Sequence, residues 1–133
     1  MHSGSTNAFT EHEKTTYFFD MNVKEFPFAL KMFSRMFANP LFDKTLMNKE
    51  INAVSSENDK NLNSESWRQN ELIKLLSNEE HPFHHFSTGN KETLGGLGME
   101  ELHKRLVRFY NKYYVPKAMK LAVLSTYLIF KFR

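Results

Sequence analysis

Phe26, Leu30, Phe33 and Phe37 recur at i, i+4, i+7 and i+11, which places four apolar side chains along one stripe of a helix. No other feature constrains the fold as much, because a stripe carrying three phenylalanines needs a surface to cover it. The residues just upstream offer that surface. Thr15-Thr16-Tyr17-Phe18-Phe19-Asp20-Met21-Asn22-Val23 is rich in β-branched and aromatic residues and predicts a strand. Ser3-Gly4-Ser5-Thr6-Asn7 reads as a turn, Ala8 to Thr10 as a short strand, and Glu11-His12-Glu13-Lys14 as a charged turn, so the two strands would form an antiparallel hairpin. The helix is expected from Glu25 to Ala38. Pro27 falls in its first turn, where a missing N–H does no harm, and Asn39-Pro40 ends it.

Further along, Asp43 to about Leu76 predicts one long helix or two, with Asp43 as N-cap and Leu46, Met47, Ile51, Val54 and Leu62 keeping the helical period. Between Ser55 and Ser66 the chain is crowded with Asn and Ser. These compete for backbone hydrogen bonds in mid-helix and suggest a face committed to something other than a plain core. Glu79 to Gly98 reads as an irregular connection, Met99 to Tyr113 as a helix with Leu102, Leu106 and Phe109 on one face, and Met119 to Ser125 as a strand. The order β-β-α-α-α-β implies an α+β fold: a largely antiparallel sheet with helices packed on one face.

Composition narrows the function classes. The chain has 133 residues, 41% of them hydrophobic, with thirteen Phe, which suits a globular segment rather than a disordered one. Eighteen basic residues against fifteen acidic ones, mixed along the chain, give a net charge of only +3, too mild for a nucleic-acid partner. There is no cysteine, so thiolate ligands and disulfides are excluded; a reducing, cytoplasmic location is expected. Met1 to Thr10 has no apolar signal region. The longest apolar stretch, Leu121 to Phe130, is too short to span a membrane and reads better as a core strand, so no membrane partner is expected.

Glu50 and Glu57, seven apart, project from the same side of a helix. Two such acids can serve as a metal ligand and the group that supports it, or simply as a solvated face. The run Lys49-Glu50-Ile51-Asn52-Ala53-Val54-Ser55-Ser56-Glu57-Asn58-Asp59-Lys60-Asn61 resembles the downstream glutamate helix of the insulysin (insulin-degrading, pitrilysin-type) branch of the inverted-motif zinc metallopeptidases. Other stretches agree in order. Gly4-Ser5-Thr6-Asn7-Ala8-Phe9-Thr10 resembles the family's substrate-binding edge strand, Glu65-Ser66-Trp67-Arg68 a helix end beside the cleft, and His81-Pro82-Phe83-His84-His85-Phe86 with Gly89-Asn90 its H-P-F-x-x-F-x-x-G-N stretch. Tyr110 to Val115 and Met119 to Val123 resemble the helix and strand that follow. The resemblance implies a zinc metalloendopeptidase domain. Glu57 would be the third zinc ligand and Glu50 the supporting acid. Asn7, Ala8 and Phe9 would contact a peptide substrate bound by β-strand addition, and Trp67 would wall that site, its alternative being core burial.

The family's H-x-x-E-H motif, which supplies two zinc-binding histidines and the water-activating Glu, does not occur in the sequence. His2 and His12 match no ligand position. His81-Pro82-Phe83-His84-His85 imitates the motif without the Glu and in the wrong order, and fits packing or a solvated loop better. Residues 1–133 therefore read as a partial catalytic-type N-terminal domain, truncated relative to the family domain, with a divergent tail at 126–133. Such a piece is expected not to retain Zn2+ or activity alone. The alternatives are a non-catalytic peptide-binding or regulatory subunit, or a truncated gene product without separate function. Exposed sheet edges and unpaired apolar helix faces would favour association.

Overall fold

The computed structural model describes residues 3–126. His2 and the tail from 127 onward lie outside the described residues. The chain divides into two compact units, one formed by residues 1–40 and 114–133 and the other by Leu41–Tyr113.

The first unit is built on a hairpin. Strand β1 (Gly4–Thr10) pairs antiparallel with β2 (Thr15–Met21), with Ala8 opposite Tyr17, Thr6 opposite Phe19 and Asn7 opposite Phe18. Helix α1 (Phe26–Ala38) covers one face. Alternation along β2 sends Tyr17 and Phe19 to that face, and the stripe seen in the sequence meets them. The Phe19 ring lies 5.7 Å from Phe26 and 4.8 Å from Phe33; Tyr17 lies 5.1 Å from Phe37, edge to face. Phe33 and Phe37 pack on each other at 5.1 Å. Aromatic pairs in such geometry add about 0.5–1.5 kcal/mol each beyond the area they cover. The Tyr17 hydroxyl is also hydrogen-bonded to that of Tyr114, at 2.6 Å. Burial, and then this bond, push the Tyr17 phenol well above its ordinary pKa. Asn22 opens a turn of 3-10 helix at Val23–Glu25, and Pro27 sits in the first turn of α1.

Two expectations for this unit need correction. Strand β1 begins at Gly4, not Ala8, because the small polar residues read as a turn pair in full with Phe18 to Met21. The strand expected at Met119 to Ser125 is absent: a 3-10 turn at Pro116–Ala118 leads into extended chain. The sheet is the two-stranded β1–β2 ladder among the described residues, so this segment has no neighbour to pair with, and Leu121 and Leu124 stay 67% and 99% exposed.

In the second unit the region expected as one long helix or two is two: α2 (Lys44–Asn61) and α3 (Glu65–Leu75). The Asp43 side chain caps α2 by accepting from the Leu46 N–H at 2.9 Å. Just before it, Phe42 holds φ +48, an uncommon backbone for a bulky residue, with its ring against His103 and Tyr110 at 6.4 and 5.4 Å. The Asn and Ser residues of α2 are accommodated by bonding back onto their own helix: the Asn52 amide donates to the Asn48 carbonyl, and the Ser56 hydroxyl to that of Asn52, both at 2.9 Å. Helix α4 (Met99–Tyr113) follows a π-type turn at Lys91–Gly95, and both pack on α2. Exposed Lys44 and Glu100 pair side by side, which holds the Glu100 carboxyl below its usual range.

Lys74 is the most buried side chain in this unit after the fold closes, at 3% exposure. Its ammonium contacts Glu71 Oε1 at 3.1 Å and donates to the Ser87 hydroxyl, while its carbonyl is 3.1 Å from His84 Nδ1 and accepts from the Ser77 hydroxyl at 2.6 Å. A single lysine therefore ties the end of α3 to residues 77–87. Ile51, in contrast, is the only buried hydrophobic side chain among the described residues. Leu41 and Leu76 remain 91% and 78% exposed. No helix among the described residues is long and apolar enough to cross a membrane.

Candidate functional site

The residues singled out from the sequence fall on both units. On α2, Ile51 and Ser55 form the buried side. Glu50 and Glu57 stand roughly 100–120° around the helix from Ile51, at 100° per residue, and both are exposed. Seven residues bring them within ~20° of each other around the axis and about 10 Å apart along it. Neither carboxylate makes a hydrogen bond or ion pair among the described residues. Asn58 and Asn61, which continue the polar patch, are half-buried at the margin of the packed side. That packed side meets Leu94, Met99 and Leu102, which with Ile51 and Asn52 line a shallow groove. Trp67 lies early in α3 and is 42% exposed rather than buried in a core.

On the hairpin, Asn7, Ala8 and Phe9 sit in mid-β1, every residue of which is exposed. Alternation puts Ala8 on the α1 face and Asn7 and Phe9 on the open face. There the Phe9 ring meets Phe18 edge-on at 6.3 Å. One side of β1 is paired with β2, and among the described residues no strand pairs with the other. The Asn7 side-chain oxygen accepts from the Ala8 N–H at 2.8 Å.

The histidines are engaged locally. His81 Nδ1 accepts from the Phe83 N–H at 3.1 Å, capping the 3-10 turn Pro82–His84, and His84 bonds to the Lys74 carbonyl. His81 and His85 are exposed and His84 is half-buried, so the segment is part loop surface and part packed. Lys74 itself escaped the sequence reading: a lysine in a polar helix looks like a surface residue, and the Glu71-x-x-Lys74 spacing was the one available hint. A catalytic zinc takes three protein ligands and a water. No group of three His, Asp or Glu side chains converges among the described residues. The described residues do not make up a complete zinc site.

The Insulinase (Peptidase family M16) pattern matches residues 1–80. The chain is 47% identical over 127 residues to the A-factor-processing enzyme of Saccharomyces cerevisiae, covering 93% of this chain and 12% of that protein. It is 44% identical over 125 residues to insulin-degrading enzyme-like 2 of Arabidopsis thaliana, covering 92% and 13%, and 40% identical over 127 residues to the insulin-degrading enzyme of Homo sapiens, covering 93% and 12%. A Schizosaccharomyces pombe relative, 40% identical over 127 residues, carries a zinc-protease name. The chain thus spans about an eighth of the length of these relatives. With the pattern matched over more than half its residues, this chain belongs to the insulinase family of peptidases.

Proposed function

We propose that this chain forms the carboxylate helix and substrate-pairing strand of a zinc metalloendopeptidase that cleaves peptides. Glu57 would ligate the metal, Glu50 would support the site, Asn7 to Phe9 would pair with an extended peptide, and Trp67 would take, by resemblance, the role of a peptide-contacting residue. The observation that carries the reading is the pair of unpartnered, exposed carboxylates on one side of α2. Exposed acids without protein partners are either simply solvated or open to a metal, and the family's glutamate helix, which this run resembles, favours the second. On this reading the histidine pair and the water-activating Glu come from outside residues 1–133, and the chain alone is inactive. Its cysteine-free sequence fits a reducing compartment such as the cytoplasm, which cell fractionation would check.

A chimera tests the assignment. Residues 1–125 would replace the matching segment of the yeast relative, and zinc content and chelator-sensitive peptidase activity would be measured. The chimera is expected to hold one zinc and cleave peptide, Glu57→Gln to lose both, and Glu50→Gln to lose activity with smaller loss of metal. A Glu57→Gln chimera with full zinc and full activity would sink the assignment. The fully exposed β1 favours a second reading, capture of extended peptides without cleavage. Peptide binding by a Glu57→Gln chain, at the affinity of the unaltered one, would be its signature.

A further inference from the structure

We infer that the Asn7 side chain is a displaceable cap on the peptide-pairing edge of β1, so that an extended peptide must evict it to bind. The inference rests on the strand-addition reading above and adds a control element to it. Its basis is the phase of the β1–β2 ladder. The Glu11 N–H bonds to the Lys14 carbonyl at 2.8 Å, and the Asn22 N–H to the Ser3 carbonyl at 3.4 Å. In an antiparallel pair, hydrogen-bonded and non-bonded positions alternate. With Glu11 and Ser3 at bonded positions, Ser5, Asn7 and Phe9 direct their backbone groups to β2. Gly4, Thr6, Ala8 and Thr10 direct theirs outward along the edge left open among the described residues.

Ala8 is therefore one of the two central outward positions, and its N–H is a donor that an added strand would use. That donor is already occupied by Asn7 Oδ1 at 2.8 Å. The carbonyl oxygen of an added strand would compete with that side-chain oxygen for the same N–H. Binding then exchanges one neutral hydrogen bond for another instead of gaining one. The same cap blunts the edge against pairing with a second copy, which an uncovered strand invites.

The test is fluorescence anisotropy of the 133-residue chain with a short fluorescein-labelled Thr–Val repeat peptide. Asn7→Ala frees the donor and is expected to tighten binding by about 2- to 10-fold, the worth of one neutral hydrogen bond. Asn7→Asp offers a charged, stronger acceptor to the same N–H and is expected to weaken binding. Ala8→Pro removes the outward N–H without touching the ladder to β2 and is expected to abolish binding. Far-ultraviolet circular dichroism confirms that each variant keeps its structure. If the unaltered chain binds, Ala8→Pro does not, and Asn7→Ala binds equally or more weakly, the cap is overturned and strand addition stands. If neither the unaltered chain nor Asn7→Ala binds, strand addition fails and the cap fails with it.

Discussion

Removing Glu71 should harm this protein more than removing the lysine it serves. The Lys74 side chain is 4% exposed, and its charge is balanced by Glu71, which is 33% exposed, at 3.1 Å. Breaking a fully buried pair by deleting one partner costs about 3–5 kcal/mol, because a charge is left without compensation. Water reaches Glu71, so the loss in Glu71→Gln scales down to roughly 1–2 kcal/mol. Lys74→Met removes the charge that needs compensating and keeps a chain of similar length in the same channel. It leaves behind only groups that water can reach: the Ser87 hydroxyl is exposed, and Glu71 is a third exposed. Replacing a buried charge with a fitting apolar side chain is often neutral or favourable, so Lys74→Met should fall within ~0.5 kcal/mol of the parent. Trp67, the only tryptophan, lies on the same helix and reports the unfolding of this unit by fluorescence in urea. At a slope near 1–2 kcal/mol/M, Glu71→Gln should lower the midpoint by about 0.5–2 M, and Lys74→Met should barely move it. A Lys74→Met midpoint as low as that of Glu71→Gln would refute the reasoning. It would mean that the hydrogen bond to Ser87, not charge compensation, holds residues 77–87 in place.

Two further outcomes are expected. Phe33→Ala, whose ring is half-buried between Phe19 and Phe37, should destabilise the hairpin unit by ~2 kcal/mol, whereas Phe28→Ala, 66% exposed, should cost under ~0.5 kcal/mol; thermal melts by circular dichroism compare them. The raised pKa of Tyr17 means that folding favours its neutral form. Its contribution is complete below about pH 10, the ordinary tyrosine value, and is lost as pH rises through the higher folded value. Ultraviolet titration of the five tyrosines should show one late-ionising group that Tyr17→Phe removes, and five indistinguishable groups would contradict this.

What could be read from the sequence follows how local each signal is. The stripe Phe26, Leu30, Phe33, Phe37 and the alternating run before it carry their partners within forty residues, and both the helix and its covered sheet face came out as the patterns imply. Gly4 to Asn7 has the composition of a turn and becomes strand only because β2 lies beside it, a pairing that no window over those four residues reveals. Met119 to Ser125 shows the converse. It has strand composition, but its state depends on a neighbour, and extended chain without one has no ladder to join. The split between α2 and α3 falls at Leu62 to Ser64, in the Asn- and Ser-rich stretch that had left one helix or two open. At the candidate site, spacing alone gave the common orientation of Glu50 and Glu57, while their roles came from resemblance. The Asn7 contact with Ala8 had no sequence signal, because it depends on which way one exposed side chain turns.

Geometry also separates the two glutamates, which sequence spacing treats as equivalent. About 10 Å of helix axis lies between them. A zinc ion binds carboxylate oxygen at about 2.0–2.2 Å, so both could reach one ion only if both side chains stretched toward each other. The Cα–Cβ bonds of a helix all tilt toward its N-terminus. Glu57 therefore leans toward the turns that separate it from Glu50, while Glu50 leans away from Glu57 toward Asp43 at the start of α2. Only one of the two is directed into the shared stretch of exposed surface. An ion placed there meets Glu57 directly and Glu50 only through an intervening water or another side chain. On the proposed reading, this asymmetry favours Glu57 over Glu50 as the carboxylate that would meet an ion in that stretch. It also sets the expected order in the chimera, where metal content should depend on Glu57 far more than on Glu50. Equal loss of zinc in the two variants would show that both carboxylates reach the ion, and that α2 is locally unwound when metal binds.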